Sequence, residues 1–414
     1  MTQGLSSKDR EILRSLAARV REISELPEMA ARARRWYALN SLKPERPMVQ
    51  CSPEGAWGEL LPPSLCQIED PRLRDWEYNL RARVYRWEHI QDDMAFEAIF
   101  PVGWEVDWGN FGVSIPRRQG DNRGSYVWEP PIKDLDADFA RLHMRRQAVD
   151  RPRTMEAYEL ARSVFDGLLE VRIVGWLPWT MGLTWSAIDL IGLERLMTAM
   201  IDEPDRLHRL MAFLRDDMMQ LITWAEKEGV LSINNASGFV GSGGSAYTHE
   251  LPQGDWKPGQ PVRLKDLWGF GESQETVGVS PAMFGEFIFP YQLPLLAKFG
   301  LNCYGCCEAV HQRWSYIKRI PNLRRVSVSP WADQAMMAEA MGSTCVFSRK
   351  PNPAMICASF NEDHIRADIR NTLSIAGKLP LELVMKDTHT VQNQPHRITR
   401  WVRIAFEEID RYCS

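Results

Sequence analysis

From residue 155 onward the chain alternates short apolar runs with helical stretches, and this repetition constrains the fold more than any other feature. The runs are EVRIVGWL, VLSINN, LKDLWGF, GLNCYG, RRVSVSP, TCVFSRKP and LELVMKD. Helical patterns occupy 157–167, 189–229, 280–298, 309–319, 334–341, 362–376 and 395–411. Short strands joined by helices pair in parallel, because a parallel connection has to cross back over the sheet. A further strand near 94–102 brings the count to about eight, the number that closes a (β/α)8 TIM barrel. A doubly wound open sheet is the alternative, but no Gly-x-Gly-x-x-Gly turn follows the first strand.

Ahead of this repeat, Ile12, Leu13, Leu16 and Val20 stand at helical spacing, so the first forty-odd residues read as helix. A proline-rich, irregular stretch runs from Pro44 to Pro71. Aromatic, partly alternating segments between 72 and 130 predict short strands or a hairpin covering the barrel mouth. The expected division is an N-terminal extension, 1–90, and a barrel, 91–414.

Composition narrows the class. With 44% hydrophobic residues over 414 positions, the chain can bury a large core. A net charge of −4, with basic residues scattered rather than striped, argues against nucleic acid as a partner. No run approaches the roughly 18 apolar residues of a membrane helix, and the charged start is unlike a signal peptide, so the cytoplasm is the expected location. Eight dispersed cysteines, with Cys303, Cys306 and Cys307 close together, read as thiols rather than a disulfide framework. Sixteen tryptophans either pack the core or line a pocket for a flat ligand. Trp104, Trp108, Trp176, Trp179, Trp268 and Trp331 stand out for their neighbouring acids and prolines.

Chemistry in a β/α barrel is read at the C-terminal ends of the strands. Those ends carry Asn234-Asn235, then Glu272-Ser273-Gln274-Glu275, then Tyr304-Gly305-Cys306-Cys307-Glu308, then Ser329-Pro330-Trp331, and last Asp387-Thr388-His389. Cys306 and Cys307 are candidate zinc ligands, joined by Glu272, Glu275 or His389 from neighbouring strands; the bland alternative is buried thiols acting as small hydrophobes. Glu272 and Glu275 serve either as acid/base groups or as acids favoured in a helix's first turn. Arg349-Lys350 binds a carboxylate or forms a solvated rim. The loop GSGGS lacks the Lys-Ser/Thr of a phosphate cradle and reads as a lid over the mouth. Asp92-Asp93 and Glu97 are surface acids or face the pocket.

On these residues the chain resembles the uroporphyrinogen decarboxylase-like superfamily, which includes the cobalamin-linked methyltransferases. The resemblance rests on segment order: DEPDRLHRLM, then GFGESQETVGVSPAMFGEFIFPY, then YGCCE, then VSVSPWAD. It is similar above all to the methyltransferase components of aryl methyl ether O-demethylases of the vanillate or veratrol type. Thiol-activating members carry His-x-Cys where this chain has Tyr304-Gly305-Cys306, and porphyrinogen decarboxylases carry an arginine-rich N-terminal segment that has no counterpart before residue 100.

The resemblance therefore implies transfer of a methyl group from a methoxylated aromatic to the Co(I) corrinoid of a partner protein. Phenolate, with a conjugate acid near pKa 10, leaves poorly unless its oxygen is protonated or coordinated. Glu275, Glu308, His389 and Tyr304 are the candidates to protonate or polarise it, together with zinc held by Cys306 and Cys307. Trp268, Trp331, Asn234 and Arg349 are the candidates for holding the substrate. A homodimer is the expected assembly. The alternatives are a tetrapyrrole decarboxylase, a corrinoid methyltransferase using methanol or a methylamine, and a non-catalytic barrel.

Overall fold

A computed structural model describes residues 5–119, 126–175 and 177–414. Trp176, one of the tryptophans singled out above, lies outside them. Among the described residues, eight strands pair in parallel, in chain order β1 (Met48–Cys51), β2 (Ile99–Gly103), β3 (Glu170–Val174), β4 (Trp268–Gly271), β5 (Leu301–Tyr304), β6 (Leu323–Val328), β7 (Val346–Arg349) and β8 (Leu381–Met385). Six form one parallel sheet in the order β1-β8-β7-β6-β5-β4, and β2 with β3 forms a separate parallel pair. The protein is thus α/β, built on a parallel sheet with helical crossovers.

The first strand lies beside the last, Gln50 opposite Val384. This strand comes from the stretch read as irregular, so the segment 1–90 contributes to the main sheet rather than lying outside it. Buried acids hold it there. Asp93 accepts from the Val49 N–H at 2.8 Å and binds Arg46 through both oxygens, while Asp92 accepts from the Cys51 N–H at 2.9 Å and pairs with Arg86. These acids are structural clamps, neither surface groups nor pocket groups.

VLSINN, predicted as a strand, runs extended between β3 and β4 without a backbone ladder. Side chains replace the ladder: Ser232 Oγ accepts from the Gly175 N–H at 2.7 Å, and the Asn234 amide bonds the Trp268 N–H and C=O at 2.9 and 3.1 Å. Gly175 is required at this crossing, because a Cβ there would stand 2.3 Å from the Val230 carbonyl oxygen.

Alternation along the strands separates two faces. Phe347, Leu381, Leu383 and Met385 enter the large core with Ile369, Leu373, Trp401 and Ile404 from the helices Glu362–Ala376 and His396–Cys413. The opposite face carries Trp268, Phe270, Cys303, Arg325, Ser348 and Glu382. A second core joins the helices Ser7–Ser24, Pro71–Tyr85 and Arg151–Phe165 through Leu13, Trp76, Phe100 and Phe165. The predicted hairpin pairs Arg117–Gln119 with Tyr126–Trp128 and docks by Arg117 on Asp189.

The glycine-rich loop is tied to the sheet through its Gly244–Ala246 part rather than standing free as the expected lid. It packs on the polar face toward the N-terminal ends of the strands, where the Gly244 N–H donates to Gln50 Oε1 at 3.0 Å, and the Ala246 carbonyl accepts from Trp268 Nε1 at 3.0 Å. Gly244 has φ +100, and a Cβ on it would lie 2.7 Å from both Glu382 carboxylate oxygens. Glycine alone permits that approach.

Candidate functional site

The turns after β1, β4, β5, β6 and β8 emerge on one edge of the sheet, because these strands are parallel. At the end of β5, Gly305 (φ +92) turns the chain so that Cys306 and Cys307 follow immediately. Glu308 then fastens two turns together: one oxygen accepts from the Ser273 N–H at 2.9 Å and the other from the Cys306 N–H at 2.8 Å. A carboxylate engaged in this way by backbone donors is a structural staple. Both of its oxygens are taken up in holding the turns, which leaves it placed for support rather than for the catalytic role expected of Glu308.

The two thiols face different partners. Cys306 Sγ lies 3.8 Å from Cys307 Sγ and 3.3 Å from Lys386 Nζ. The Cys307 thiol and then the Lys386 ammonium draw the Cys306 thiol below its ordinary value, against the effect of burial. Cys307 Sγ lies 3.7 Å from Asp387 Oδ2 and is pushed up, first by its contact with Cys306 and then by burial. Although burial works against the Lys386 ammonium, Cys306 and Asp387 keep it above its usual range.

On the β4 turn, Glu272 is completely enclosed. Its Oε2 accepts from the Gln274 N–H at 3.0 Å, while Oε1 has no hydrogen-bond partner among the described residues. Burial first, and then the charges of Glu275, Glu308 and Cys306, raise it well above the usual carboxylate range, which favours its protonated form. Gly182 makes the space for it, since a Cβ there would meet Glu272 Oε1 at 2.3 Å. Glu275 is half-buried and accepts from Thr184 Oγ1 at 2.7 Å.

A cleft of about 200 Å³ opens beside this strand, lined by Trp179, Phe239, Phe270, Trp268, Asn234 and Met181 among others. Trp179 meets Phe270 edge to face at 5.2 Å. The Met181 N–H donates to the Phe270 carbonyl, and Gly182, one residue past Met181, lies against the carboxyl of Glu272, two residues past Phe270. Phe270 also packs in one apolar cluster with Cys303 and Cys306. The aromatic wall and the thiol corner thus share Phe270, while Glu272 lies enclosed two residues beyond it, behind the cleft surface.

The sequence candidates divide accordingly. Trp268 and Asn234 line the cleft, with Trp268 at its buried floor and the Asn234 amide already spent on β4. Trp331 stands 68% exposed on the turn after β6, outside the cleft. Tyr304 is fully enclosed on the helix side, where its hydroxyl donates to Gln292 Oε1 at 2.8 Å, so the expected proton donor does not reach the cleft. Arg349 does not reach it either. It points to Asp368 and donates to the Ser329 and Lys350 carbonyls at 2.9 and 2.8 Å, which fixes strand ends rather than a substrate carboxylate. Lys350 turns inward to Ser348, and burial pulls its ammonium down to about 8. His389 is exposed and meets Asp387 and Glu54, the three offering ligand atoms within 4.8 Å of one another.

Lys386, Glu54, Phe239 and Phe270 were not singled out from the sequence. Lys386 had a usable signal, standing directly after the apolar run LELVM. Glu54 had none, because the strand that delivers it lies between prolines.

No family model matches the chain, and no curated protein matches it. Among solved structures, the chain is similar to a methyltransferase from Methanosarcina mazei, with a TM-score of 0.47 and 14% identity, over 92% of this chain and 98% of that one. No helix among the described residues is long and apolar enough to cross a membrane.

Proposed function

We propose that the chain is a methyltransferase that cleaves aryl methyl ethers, passing the methyl group to the Co(I) corrinoid of a partner protein, and that the strands close into a barrel with this edge as its mouth. The carrying observation is Glu272: an enclosed carboxyl whose protonated form is favoured, with one oxygen unpartnered among the described residues, two positions from Phe270 in the wall of an aromatic cleft. The order of segments shared with the uroporphyrinogen decarboxylase-like superfamily and the pairing of the first strand with the last are consistent with it.

The chemistry needs an acid. As the methyl carbon–oxygen bond breaks, its electron pair stays on the aryl oxygen, and a proton delivered there turns phenolate into phenol. Glu272 supplies that proton from Oε1 and is left as a carboxylate, which takes a proton back from solvent before the next turnover. Ionised Glu272 would be disfavoured beside Glu275 and Glu308, so reprotonation is favoured. Trp179, Phe239 and Phe270 hold the ring against the cleft wall by face and edge contacts.

The corrinoid supplies, when bound, the two-electron nucleophile that accepts the methyl group. The cleft fits this division of labour. Its volume suits one substituted benzene ring, given that an apolar cavity of about 150 Å³ binds benzene, and is far too small for a corrin macrocycle. The macrocycle therefore has to approach from outside, past the exposed Trp179 and Trp331.

Incubation of the chain with methoxybenzoates and a reduced corrinoid-binding protein tests the proposal. The expected result is the matching hydroxybenzoate together with loss of the Co(I) absorbance. Absence of demethylated product across a panel of methoxylated aromatics overturns it.

A further inference from the structure

We propose that a pocket between the helix Pro71–Tyr85 and β2 binds a small organic anion, an aromatic ring carrying a carboxylate, with Arg83 as its anchor. Methyl transfer makes no use of this pocket, and among the described residues it shares no lining residue with the aromatic cleft.

The strand leaves room for it. The Glu170 N–H donates to the Ala98 carbonyl and the Trp104 N–H to the Val174 carbonyl, so the backbone groups of even-numbered residues in β2 turn to β3 and those of odd-numbered residues turn away. Ile99, Pro101 and Gly103 therefore lie on an edge that no described strand covers. Pro101, which has no N–H to donate, suits such an edge. On the helix, Arg72, Trp76, Leu80 and Arg83 recur at helical spacing along the side that lines the pocket. The space enclosed is about 280 Å³. Trp76, Leu80 and Phe100 are buried in one cluster and give it an apolar floor, with Trp76 meeting Phe100 edge to face at 5.1 Å. A cavity of about 150 Å³ already holds benzene, so a ring with one charged substituent fits.

The sign of that charge follows from Arg83. Its Nη1 donates to the Ile99 carbonyl at 2.7 Å, and among the described residues the guanidinium makes no ion pair. Burial draws it below its ordinary value and Glu97 offsets this only in part, yet an arginine stays protonated at neutral pH. A charge taken out of water ordinarily has a counter-charge beside it. Arg72 likewise makes no ion pair among the described residues. The two acids that line the pocket have other partners: Asp75 accepts from the Asn79 amide at 3.1 Å, and Glu105 faces Arg153 at 3.7 Å. With Nη1 held by Ile99, the Nε and Nη2 edge of Arg83 remains for a carboxylate, which it matches with two parallel bonds.

Calorimetric titration of the full chain with benzoate, and with uncharged benzamide as the comparison, tests the site. Benzoate should bind, with benzamide at least about tenfold weaker, because hydrogen bonds to a charged group are the strong ones. Arg83→Met should abolish benzoate binding. Because that change also removes the contact with Ile99, two variants at exposed helix positions keep the test free of folding effects. Asn79→Glu sets a competing carboxylate at the pocket and should weaken benzoate at least about tenfold, whereas Asp75→Asn removes a like charge and should tighten it. Phe239→Ala, in the aromatic cleft, should leave the affinity unchanged. Absence of benzoate binding, equal affinity for benzamide, or an affinity indifferent to Asn79→Glu overturns the site. Each of these outcomes leaves acid catalysis by Glu272 untouched.

Discussion

Three glutamates stand on two adjoining turns, and their partners make them chemically different. Glu308 takes two backbone N–H bonds, Glu275 takes a hydroxyl, and Glu272 keeps an oxygen free in a closed space. Sequence spacing places all three near a strand end but cannot rank them, because the ranking depends on contacts between separate segments: Gly182 on Glu272, Thr184 on Glu275 and Ser273 on Glu308. That is why Glu275, Glu308 and Tyr304 read as proton donors to the substrate, while Glu272 read only as one of two acids suited to acid/base work, metal ligation or a helix's first turn. Glu308→Gln should reduce stability by about 1.5–3 kcal/mol, since charge-assisted bonds to two turns are weakened, checked by urea unfolding. For Glu272 the sign follows from its raised value in the folded state. Its contribution is fully present below the ordinary carboxylate range and is lost as pH rises through the folded value, where ionisation opposes burial. Glu272→Gln removes this loss. The variant should therefore hold its urea midpoint better than the wild type as pH rises above the ordinary carboxylate range, while the parent enzyme's activity falls as Glu272 ionises.

At the level of elements, periodicity located every strand from EVRIVGWL onward except VLSINN, whose role passes to the Ser232 and Asn234 side chains. It missed β1, a four-residue strand held by acids more than forty positions away. The glycine-rich loop shows a different limit. Its glycines announce positive φ or close approach, yet say nothing about which end of the strands they approach. Gly244→Val should destabilise the fold by about 1–3 kcal/mol or more, through collision with Glu382 and the strained φ, visible as a lowered denaturant midpoint. A lid would instead tolerate the change and alter turnover.

For the whole molecule, the alternation of strand and helix made the parallel α/β architecture legible, and the apolar stripes made its outer core legible. The convergence of separate turns on one edge follows from parallel pairing, so the neighbourhood of the site was readable while its internal wiring was not. Arg349 illustrates this. It sits at a strand end, as expected, but parity points it to the helix layer and Asp368. Arg349→Met should lower stability and leave the Michaelis constant for the aromatic substrate within about twofold, because a stabilising contact outside the cleft contributes no substrate binding.

The central claim is that Glu272 protonates the departing aryl oxygen, and the dependence on leaving group tests it most directly. Methyl transfer by the wild type and by Glu272→Gln is compared on methoxyaromatics whose phenols range from weakly to strongly acidic. Acid catalysis predicts that the variant loses about 10²- to 10⁴-fold on the poorest leaving groups and little on the best, where phenolate departs unaided. An equal loss across the series, or none, contradicts it.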